Sequence, residues 1–370
     1  MGDISTFLDN KRIPLKEDDR KQIKGEYPYY GASGIIDYVN DYIFDEELIL
    51  MGEDGANIVT RSSKLIFLAK GKYWVNNHAH VIKADNNINQ YFLSESLERI
   101  NYEKYNTGTA QPKLNREVCQ KIKVKIPQFN EQNKIANFLL VIDEKLRLLE
   151  QKYQYYQNFK KYLMQQIFTQ KLRFDFKDTW DKVLLKDVAF IPKKTKLTNV
   201  EGLKLLTVKL HTKGIEINDR IKPKLTKRGR PYYIRRSGEL LIGRQNFHNG
   251  GMGIVPKSLD GGICSNAISS FNVFEDKIDV NYLYYFLARP EYYIKSERLI
   301  GGTGQKEFSE KELLKLKIDL PSLEEQNKIV DFLLNIDHKI ELSENQLNKT
   351  QEFKKGLLQQ MFDNMLLFKL

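Results

Sequence analysis

The stretch Pro127–Leu146, PQFNEQNKIANFLLVIDEKL, returns 194 residues later at 321–340 as PSLEEQNKIVDFLLNIDHKI. The match runs without a gap from the turn at Gly108, which aligns with Gly302, to Phe174 near the end of the first copy. Unlike sequence flanks both copies. A long internal repeat of this kind indicates one scaffold element used twice to hold two different modules.

The repeat divides the chain into four blocks. The mixed segment 1–126 is followed by a long helix at 127–173. The mixed segment 174–320 is followed by a second long helix at 321–370. Apolar residues recur at three- and four-residue steps in both helices, which predicts a narrow apolar stripe on each. Because a long helix with such a stripe needs a partner, we expect the two to pack together, antiparallel if a pseudo-twofold axis relates the repeats.

The mixed segments share a pattern of predicted secondary structure although their sequences differ. Short β-rich runs and short helical runs alternate with turns of Gly, Asn and Asp, a pattern typical of small α+β domains. The predicted strands are 48–51, 65–68, 240–242 and 268–273, and the predicted short helices are 90–99 and 281–288. The predicted fold is therefore α+β, with two similar α/β domains separated by two long antiparallel coiled-coil helices.

Composition indicates a globular protein with a polyanionic partner. A chain of 370 residues exceeds one ordinary core, and a net charge of +11 favours binding to nucleic acid. The charge is uneven: residues 190–257 hold 16 Lys/Arg against 4 Asp/Glu, whereas residues 1–106 hold 13 against 17. We therefore expect the positive field mainly in the second mixed segment.

Several features exclude other classes. The two cysteines, Cys119 and Cys264, have no metal-like spacing, and the chain shows no targeting segment or apolar run of about 20 residues, so a cytoplasmic protein is expected. It contains no phosphate-binding loop and no Pro-Pro pair, the usual mark of an amino-methyltransferase pocket. His78 and His80 lack an identifiable third ligand, so no metal site is predicted.

Two polar runs remain as candidates for binding. The acidic pair Glu53 and Asp54 suits either Mg²⁺ in a nuclease or a recognition loop in which a carboxylate accepts from cytosine N4. The run Arg244–Asn249 offers donors and acceptors suited to the major groove. Arginines at 228–236 would suit phosphates or the minor groove.

Specific motifs carry a family resemblance. The turn GTAQPKLN at 108–115, the doubled helix start Ile/Leu-Pro-x-x-x-Glu-Gln-x-Lys-Ile at 126–135 and 320–329, and the runs 29–34 and 52–57 resemble the specificity subunits of type I restriction-modification enzymes. The resemblance covers essentially the whole chain. It implies that 1–126 and 174–320 are target-recognition domains, each of which binds one half of a bipartite DNA site.

The resemblance also implies the partners. The long helices would set the spacing between the half-sites and dock two methyltransferase subunits, with restriction (translocase) subunits attached outside them. This chain would carry no catalytic residues and no cofactor, while S-adenosylmethionine, ATP and Mg²⁺ would bind to the partner subunits. Its ligand would be double-stranded DNA.

The candidate DNA contacts are polar, charged or aromatic side chains in the predicted loops of both domains. In the first domain they are Lys11, Arg12, Tyr30, Ser33, Glu53, Asn57, His78 and Gln111. In the second they are Lys209, Arg228, Arg230, Tyr232, Arg235, Arg236, Arg244, Gln245, Asn246, His248, Asn266 and Gln305.

The two modules start differently. A segment from Leu172 to Val188 leads into the second domain, but the first opens at Gly2–Ile4, so Trp180 has no counterpart upstream. Either the first module has a shortened start, or residues 366–370 partly complete it.

Two rival functions stay open at this point. A nuclease built around Glu53 and Asp54 would cut DNA with Mg²⁺ alone. A coiled-coil scaffold or RNA-binding protein would bind structured RNA in preference to duplex DNA.

Overall fold

The structure, a computed structural model, describes residues 1–108, 110–226, 229–296 and 307–367. The chain divides into two compact units. The first unit comprises Met1–Glu150 with Gln346–Leu370, and the second comprises Gln151–Asn345. Each long helix therefore contributes one part of its length to each unit.

Both predicted long helices are present, and each begins two residues after the proline of its repeat copy. The helices are α1 (Glu17–Gln22), α2 (Asn57–Thr60), α3 (Gln90–Glu98), α4 (Arg116–Gln120), α5 (Phe129–Phe168), α6 (Leu185–Val188), α7 (Val280–Leu287), α8 (Pro290–Ser296), α9 (Glu310–Leu313) and α10 (Leu323–Leu367). The predicted short helices at 90–99 and 281–288 correspond to α3 and α7.

The first unit contains two four-stranded sheets. Its strands are β1 (Ser5–Phe7), β2 (Lys24–Gly31), β3 (Gly34–Val39), β4 (Phe44–Asp45), β5 (Leu48–Gly52), β6 (Ile66–Ala69), β7 (Lys72–Val75) and β8 (Ala79–Ala84). One sheet has the order β1-β8-β5-β6 with antiparallel pairing, and the other has the order β3-β2-β7-β4. All five residues of β5 are buried, because apolar clusters cover both faces of that strand.

The second unit repeats the first of these sheets. Its strands are β9 (Asp181–Leu184), β10 (Ala189–Phe190), β11 (Leu206–Val208), β12 (Ile215–Ile217), β13 (Tyr232–Ile234), β14 (Leu240–Gly243), β15 (Met252–Ile254), β16 (Ile263–Ser265), β17 (Ile268–Val273) and β18 (Lys317–Leu320). The sheet order β10-β17-β14-β15 matches β1-β8-β5-β6, and β14 is as fully buried as β5. The described residues of this unit also form the two-stranded pairs β11-β12, β13-β16 and β18-β9. The predicted fold class is confirmed.

A buried glutamine ties each long helix to the short helix of its own unit. The side chain of Gln132 accepts a hydrogen bond from Asn89 N at 2.9 Å, and that of Gln326 accepts one from Asp279 N at 2.9 Å. Asn89 and Asp279 are the residues that cap α3 and α7. Because both glutamines are at most 1% exposed, this contact gives a structural reason for the glutamine in the Glu-Gln pair of the repeat.

In the second unit the two long helices run antiparallel. The Lys160 ammonium lies 2.5 Å from the Asp337 carboxylate, and Tyr153 lies 3.4 Å from Glu344, so a step of seven residues forward on α5 matches seven backward on α10. The other oxygen of Asp337 accepts from Tyr285 of α7 at 2.6 Å. One carboxylate thus joins three helices.

The first unit contains the same junction. Asp143 accepts from Lys354 at 2.5 Å and from Tyr91 of α3 at 2.5 Å. The repeat shift of 194 residues relates Asp143 to Asp337 and Lys160 to Lys354. Each lysine therefore comes from the opposite copy of the repeat, which is what an antiparallel pair related by a twofold axis requires.

The leading segment of the second unit is anchored by one carboxylate. Glu325, 1% exposed, accepts from Arg173 at 3.0 and 2.7 Å and from Trp180 at 3.0 Å, while β9 pairs with β18. The counterpart of Glu325, Glu131, is exposed. Among the described residues of the first unit, 123–126 pair with no strand.

The alternative in which 366–370 complete the first module stays a prediction. The backbone at positions 366 and 367 belongs to α10, whereas residues 368–370 lie outside the described residues.

The three-helix junction can be tested by truncating its carboxylate. We expect Asp337→Ala to lower the free energy of unfolding by roughly 1–3 kcal/mol, because the buried Tyr285 hydroxyl and the Lys160 ammonium both lose their acceptor. Urea unfolding followed by circular dichroism measures this change. The control is Glu144→Ala, which removes an exposed ion pair with Arg147 on α5 and should change stability little. Equal effects of the two substitutions would contradict the proposed junction.

Candidate nucleic-acid interface

In both units the central strand of the repeated sheet ends at a glycine, after which the chain enters a polar loop. Gly52 N donates to Leu65 O at 2.9 Å, and Gly243 N donates to Gly251 O at 2.8 Å. A Cβ on Gly52 would lie 2.6 Å from the carbonyl oxygen of Ala32, so glycine lets the β2–β3 turn approach. This strand end gathers most of the candidate contacts of the first unit.

The centre of that site is the carboxylate of Glu53. It accepts from Arg12 at 2.7 Å and lies 3.4 Å from the Lys113 ammonium. Its backbone is also fixed, since Glu53 N donates to His78 O at 2.9 Å and Glu53 O accepts from Leu114 N at 2.8 Å. Three loops thus meet at one acidic side chain.

A buried histidine, His80, links two of the segments that form this site. The two ring nitrogens of His80 lie 2.8 Å from an Asp9 carboxylate oxygen and 2.7 Å from Leu114 O, so both nitrogens donate and the ring is an imidazolium. Burial alone lowers the pKa of His80, but its interactions with Asp9, above all the hydrogen bond, and with Cys119 together outweigh burial and raise the pKa to about 10. Burial alone raises the pKa of Asp9, but the hydrogen bond and charge of His80, the Val81 backbone N–H and the charge of Arg12 together lower it.

The remaining candidates of the first unit fall into two groups. Lys11, Ser33 and Gln111 are exposed and accessible to a ligand. Tyr30 is half-buried and stacks on Phe67. Asn57 differs, because its amide nitrogen donates to Ser63 O at 3.2 Å and its amide oxygen accepts from Ser63 N at 3.0 Å. Asn57 therefore holds a turn, and its amide is already occupied.

The turn at 108–113 presents Gln111 and Lys113. Asn106 Oδ1 accepts from Gly108 N at 3.0 Å and from Lys113 N at 2.8 Å. A Cβ at Gly108 would lie 1.8 Å from Gln111 O, so only glycine fits this close approach. The first copy of the repeat thus requires this glycine for the shape of a loop beside the candidate site.

In the second unit the equivalent loop carries a guanidinium. Arg244 forms an ion pair with Glu307, and Gln245 Nε2 donates to the other Glu307 oxygen at 3.3 Å. A second guanidinium nitrogen of Arg244 donates to Asn266 O at 3.3 Å. Three of the candidates, Arg244, Gln245 and Asn266, are thus brought together.

Other candidates of the second unit lie next to this group. Asn246 is exposed at the start of a short 3₁₀ turn that includes His248. The β11–β12 hairpin tip contacts the same turn, since His211 N donates to Asn249 O at 2.8 Å. Lys209, on that hairpin, pairs with Glu216 at 2.8 Å.

The basic stretch around β13 is divided by the fold. Arg230 is exposed and Tyr232 is half-buried, and the intervening Pro231 accepts from Asn266 N at 3.1 Å, so both lie near the Arg244 group. Arg236 is exposed beyond the opposite end of β14, where it faces Asp260 at 3.4 Å.

Arg235 is corrected as a DNA contact. It is 1% exposed, and its guanidinium donates to Ile268 O at 2.7 Å. Its side chain is therefore part of the interior, a position that a basic run alone does not reveal. Arg228 and Gln305 lie outside the described residues.

Sequence reasoning missed the ion-pair partners Lys113 and Glu307. The available signal was the repeat itself, because the shift of 194 residues aligns these two positions with opposite charges. It also missed the pair Asp9 and His80, whose contact spans 71 residues and has no local pattern.

The acidic pair of the first unit does not converge on a metal. Glu53 points to Arg12 and Lys113, whereas Asp54 lies 2.7 Å from His78 Nδ1. Within the described ranges, no three side chains of His, Cys, Asp or Glu are grouped as metal ligands. None of the helices in those ranges is long and apolar enough to cross a membrane.

Comparison with known families decides the identity. A family described as type I restriction modification DNA specificity domain matches residues 1–155 and again 177–352. The chain belongs to this family. The function that follows from membership is that of a DNA specificity subunit in a type I restriction-modification system. Because the match is double, both units belong to the same domain type.

Individual relatives agree with this assignment. The MjaVIII type I restriction enzyme specificity subunit of Methanocaldococcus jannaschii is 24% identical over 389 aligned positions, which cover 97% of this chain and 90% of that protein. The EcoprrI specificity subunit of Escherichia coli is 30% identical over 121 residues, 33% of this chain and 29% of that protein. A solved S subunit from M. genitalium has a similar fold, with a TM-score of 0.66, 16% identity, and coverage of 97% of this chain and 95% of that one.

The buried imidazolium makes a pH-dependence prediction. Because the pKa of His80 rises from 6.5 to about 10 on folding, its stabilisation is complete below pH 6.5 and is lost as pH rises through 10. We expect the free energy of unfolding to fall over this window by at most roughly 5 kcal/mol. Urea unfolding between pH 6 and pH 10 measures the slope. His80→Gln should flatten it and His78→Gln should not; a slope that survives in His80→Gln would contradict the assignment.

Proposed function

We propose that each unit binds one half of a bipartite, asymmetric DNA site, and that the two halves differ in sequence. The observation that carries this proposal is the contrast between the two strand-end loops. The same sheet order ends in an acidic loop at Glu53 in the first unit and in the basic loop 244–249 in the second. Since base edges are distinguished by their donors and acceptors, equal scaffolds with unlike side chains suit unlike sequences.

The proposed contacts are the accessible residues at those strand ends. In the first unit they are Lys11, Arg12, Tyr30, Ser33, Glu53, His78 and Gln111. In the second they are Lys209, Arg230, Tyr232, Arg244, Gln245, Asn246, His248 and Asn266. Exposed basic members of both sets suit phosphate contacts, which fix the register of the protein on the duplex.

In this proposal the chemistry belongs to partner subunits. A base that is to be methylated must leave the helical stack, and the methyltransferase would hold it while this chain grips the flanking base pairs. S-adenosylmethionine, ATP and Mg²⁺ would accordingly bind to the partners. The ion pairs of Glu53 and Asp54 support this division, since both carboxylates are engaged by basic side chains.

Exchange of one domain tests the modular proposal. The full chain is produced with its methyltransferase, and methylated bases are mapped in the DNA of the host. Replacing residues 174–320 by the corresponding segment of another specificity subunit should change one half of the methylated motif and leave the other half unchanged. A change in both halves, or a motif without two separate parts, would contradict the proposal.

A duplicated apolar surface suits the docking of two methyltransferase subunits. Leu140 and Leu148 on α5 are 39% and 52% exposed, and their repeat counterparts Leu334 and Leu342 on α10 are 44% and 47% exposed. Single exposed leucines are ordinary. The same two positions are exposed in both copies, one pair in each unit, which supports the proposal that the same kind of partner binds twice.

Charge at one of the two surfaces should remove one partner. We expect Leu334→Glu with Leu342→Glu to reduce the complex from two methyltransferase subunits to one, because each apolar surface would be buried against its partner. Native mass spectrometry of the co-purified complex measures the stoichiometry. Ile294→Glu, at a position 53% exposed in the same unit, is the control. Two subunits retained by the double variant would refute this docking site.

A further inference from the structure

We propose that one ion pair in each unit selects one base pair of the half-site, and that the charge of the selecting group is reversed between the units. The pairs are Glu53 with Lys113 and Arg244 with Glu307. This inference rests on the proposed function, which it deepens by naming the positions that choose a base. Arg244 would select guanine, whereas Glu53 would select a base that presents an exocyclic amino group, as cytosine does.

The two pairs occupy the same place in the backbone. Glu53 and Arg244 each follow the glycine that ends the central strand. The carbonyl of Glu53 accepts from Leu114 N at 2.8 Å, and the carbonyl of Arg244 accepts from Phe308 N at 3.0 Å. Leu114 and Phe308 are themselves related by the repeat. The strand end and the repeat loop are therefore joined by the same hydrogen bond in both units.

At these equivalent positions both charges are inverted. The first unit has an acid after the strand and a base in the repeat loop, Glu53 and Lys113, at 3.4 Å. The second unit has a base after the strand and an acid in the loop, Arg244 and Glu307. Between the two units the acidic and basic members have changed places. The ion pair between the loops is therefore kept, while the charge after the strand and the charge in the repeat loop are both reversed.

The pair in the second unit is accessible and oriented. The side chains of Arg244 and Glu307 are 26% and 25% exposed. A guanidinium has five N–H donors, and two of its nitrogens are held by Glu307 and by Asn266 O. The carboxylate thus sets the plane of the guanidinium, which can then meet guanine O6 and N7 through its open N–H groups. Glu307 acts as a positioning residue.

The pair in the first unit has the opposite preference. The Glu53 carboxylate accepts from Arg12 and lies near Lys113, and these contacts leave lone pairs for a further donor. An exocyclic amino group such as cytosine N4 supplies that donor. Guanine presents only acceptors, O6 and N7, in the major groove and offers no donor to the Glu53 carboxylate. We therefore expect the first unit to disfavour guanine at the base pair next to Glu53, whereas the second unit requires guanine at the base pair next to Arg244.

Exchanging the two members of the second pair tests the inference. The full chain carrying Arg244→Glu and Glu307→Arg is purified with its methyltransferase. Competition binding and initial methylation rates are measured on the cognate duplex and on duplexes changed at single base pairs. We expect the preference for guanine at one position of one half-site to fall by roughly tenfold to a hundredfold. Preferences at the other positions of that half-site, and at every position of the half-site bound by the first unit, should stay the same.

Two further variants guard against a folding defect and a general charge effect. Arg244→Lys keeps the charge but loses the fork, so discrimination at the same position should fall while the complex assembles normally. Glu47→Lys with Lys70→Glu exchanges an exposed ion pair, 2.6 Å apart, at the opposite end of β5 and should leave every preference unchanged.

The outcomes separate this inference from the function on which it rests. An unchanged preference in both Arg244 variants, or an equal loss at all positions, overturns the inference. If the exchanged chain fails to bind, the ratio of binding among duplexes in Arg244→Lys decides by the same criterion. A wild-type complex that shows no bipartite preference would instead overturn the proposed function itself.

Discussion

A single carboxylate in each unit holds the architecture together. Asp143 and Asp337 each accept from a tyrosine of a short helix and from a lysine of the opposing long helix. A carboxylate in this setting is worth more than an exposed surface pair, because the tyrosine hydroxyl has few alternative partners once it is partly buried. The candidate loops follow strands of the sheet against which the short helix of this junction packs, so their positions depend on it.

Much of the fold was predictable because the repeat is long and periodic. The helix starts near 127 and 321, the strands at 48–51 and 240–242, and the antiparallel pairing all follow from local pattern and from the 194-residue shift. The second four-stranded sheet of the first unit was not foreseen. It includes a parallel contact between β2 and β7, and pairing over such a distance in sequence leaves no periodic signal in either strand.

The candidate site was predictable by region and less so by residue. The Glu53 loop and the 244–249 loop were identified from side-chain chemistry, and the fold places both at equivalent strand ends. Burial decides the rest: Arg235 is interior and the Asn57 amide is engaged in its own turn. The partner of a charged side chain is a three-dimensional property, so the repeat aligns Lys113 with Glu307 but does not identify Glu53 and Arg244 as their partners.

The chain segments that form each unit affect the order in which the protein folds. The second unit is continuous in sequence, from Gln151 to Asn345, whereas the first combines both ends of the described chain. The contact between Asp143 and Lys354 spans 211 residues. During synthesis, the second unit can close its helix pair as soon as position 345 has emerged. The first unit must wait for the last turns of α10, and until then the apolar side of α5 in this unit stays uncovered and open to non-native association.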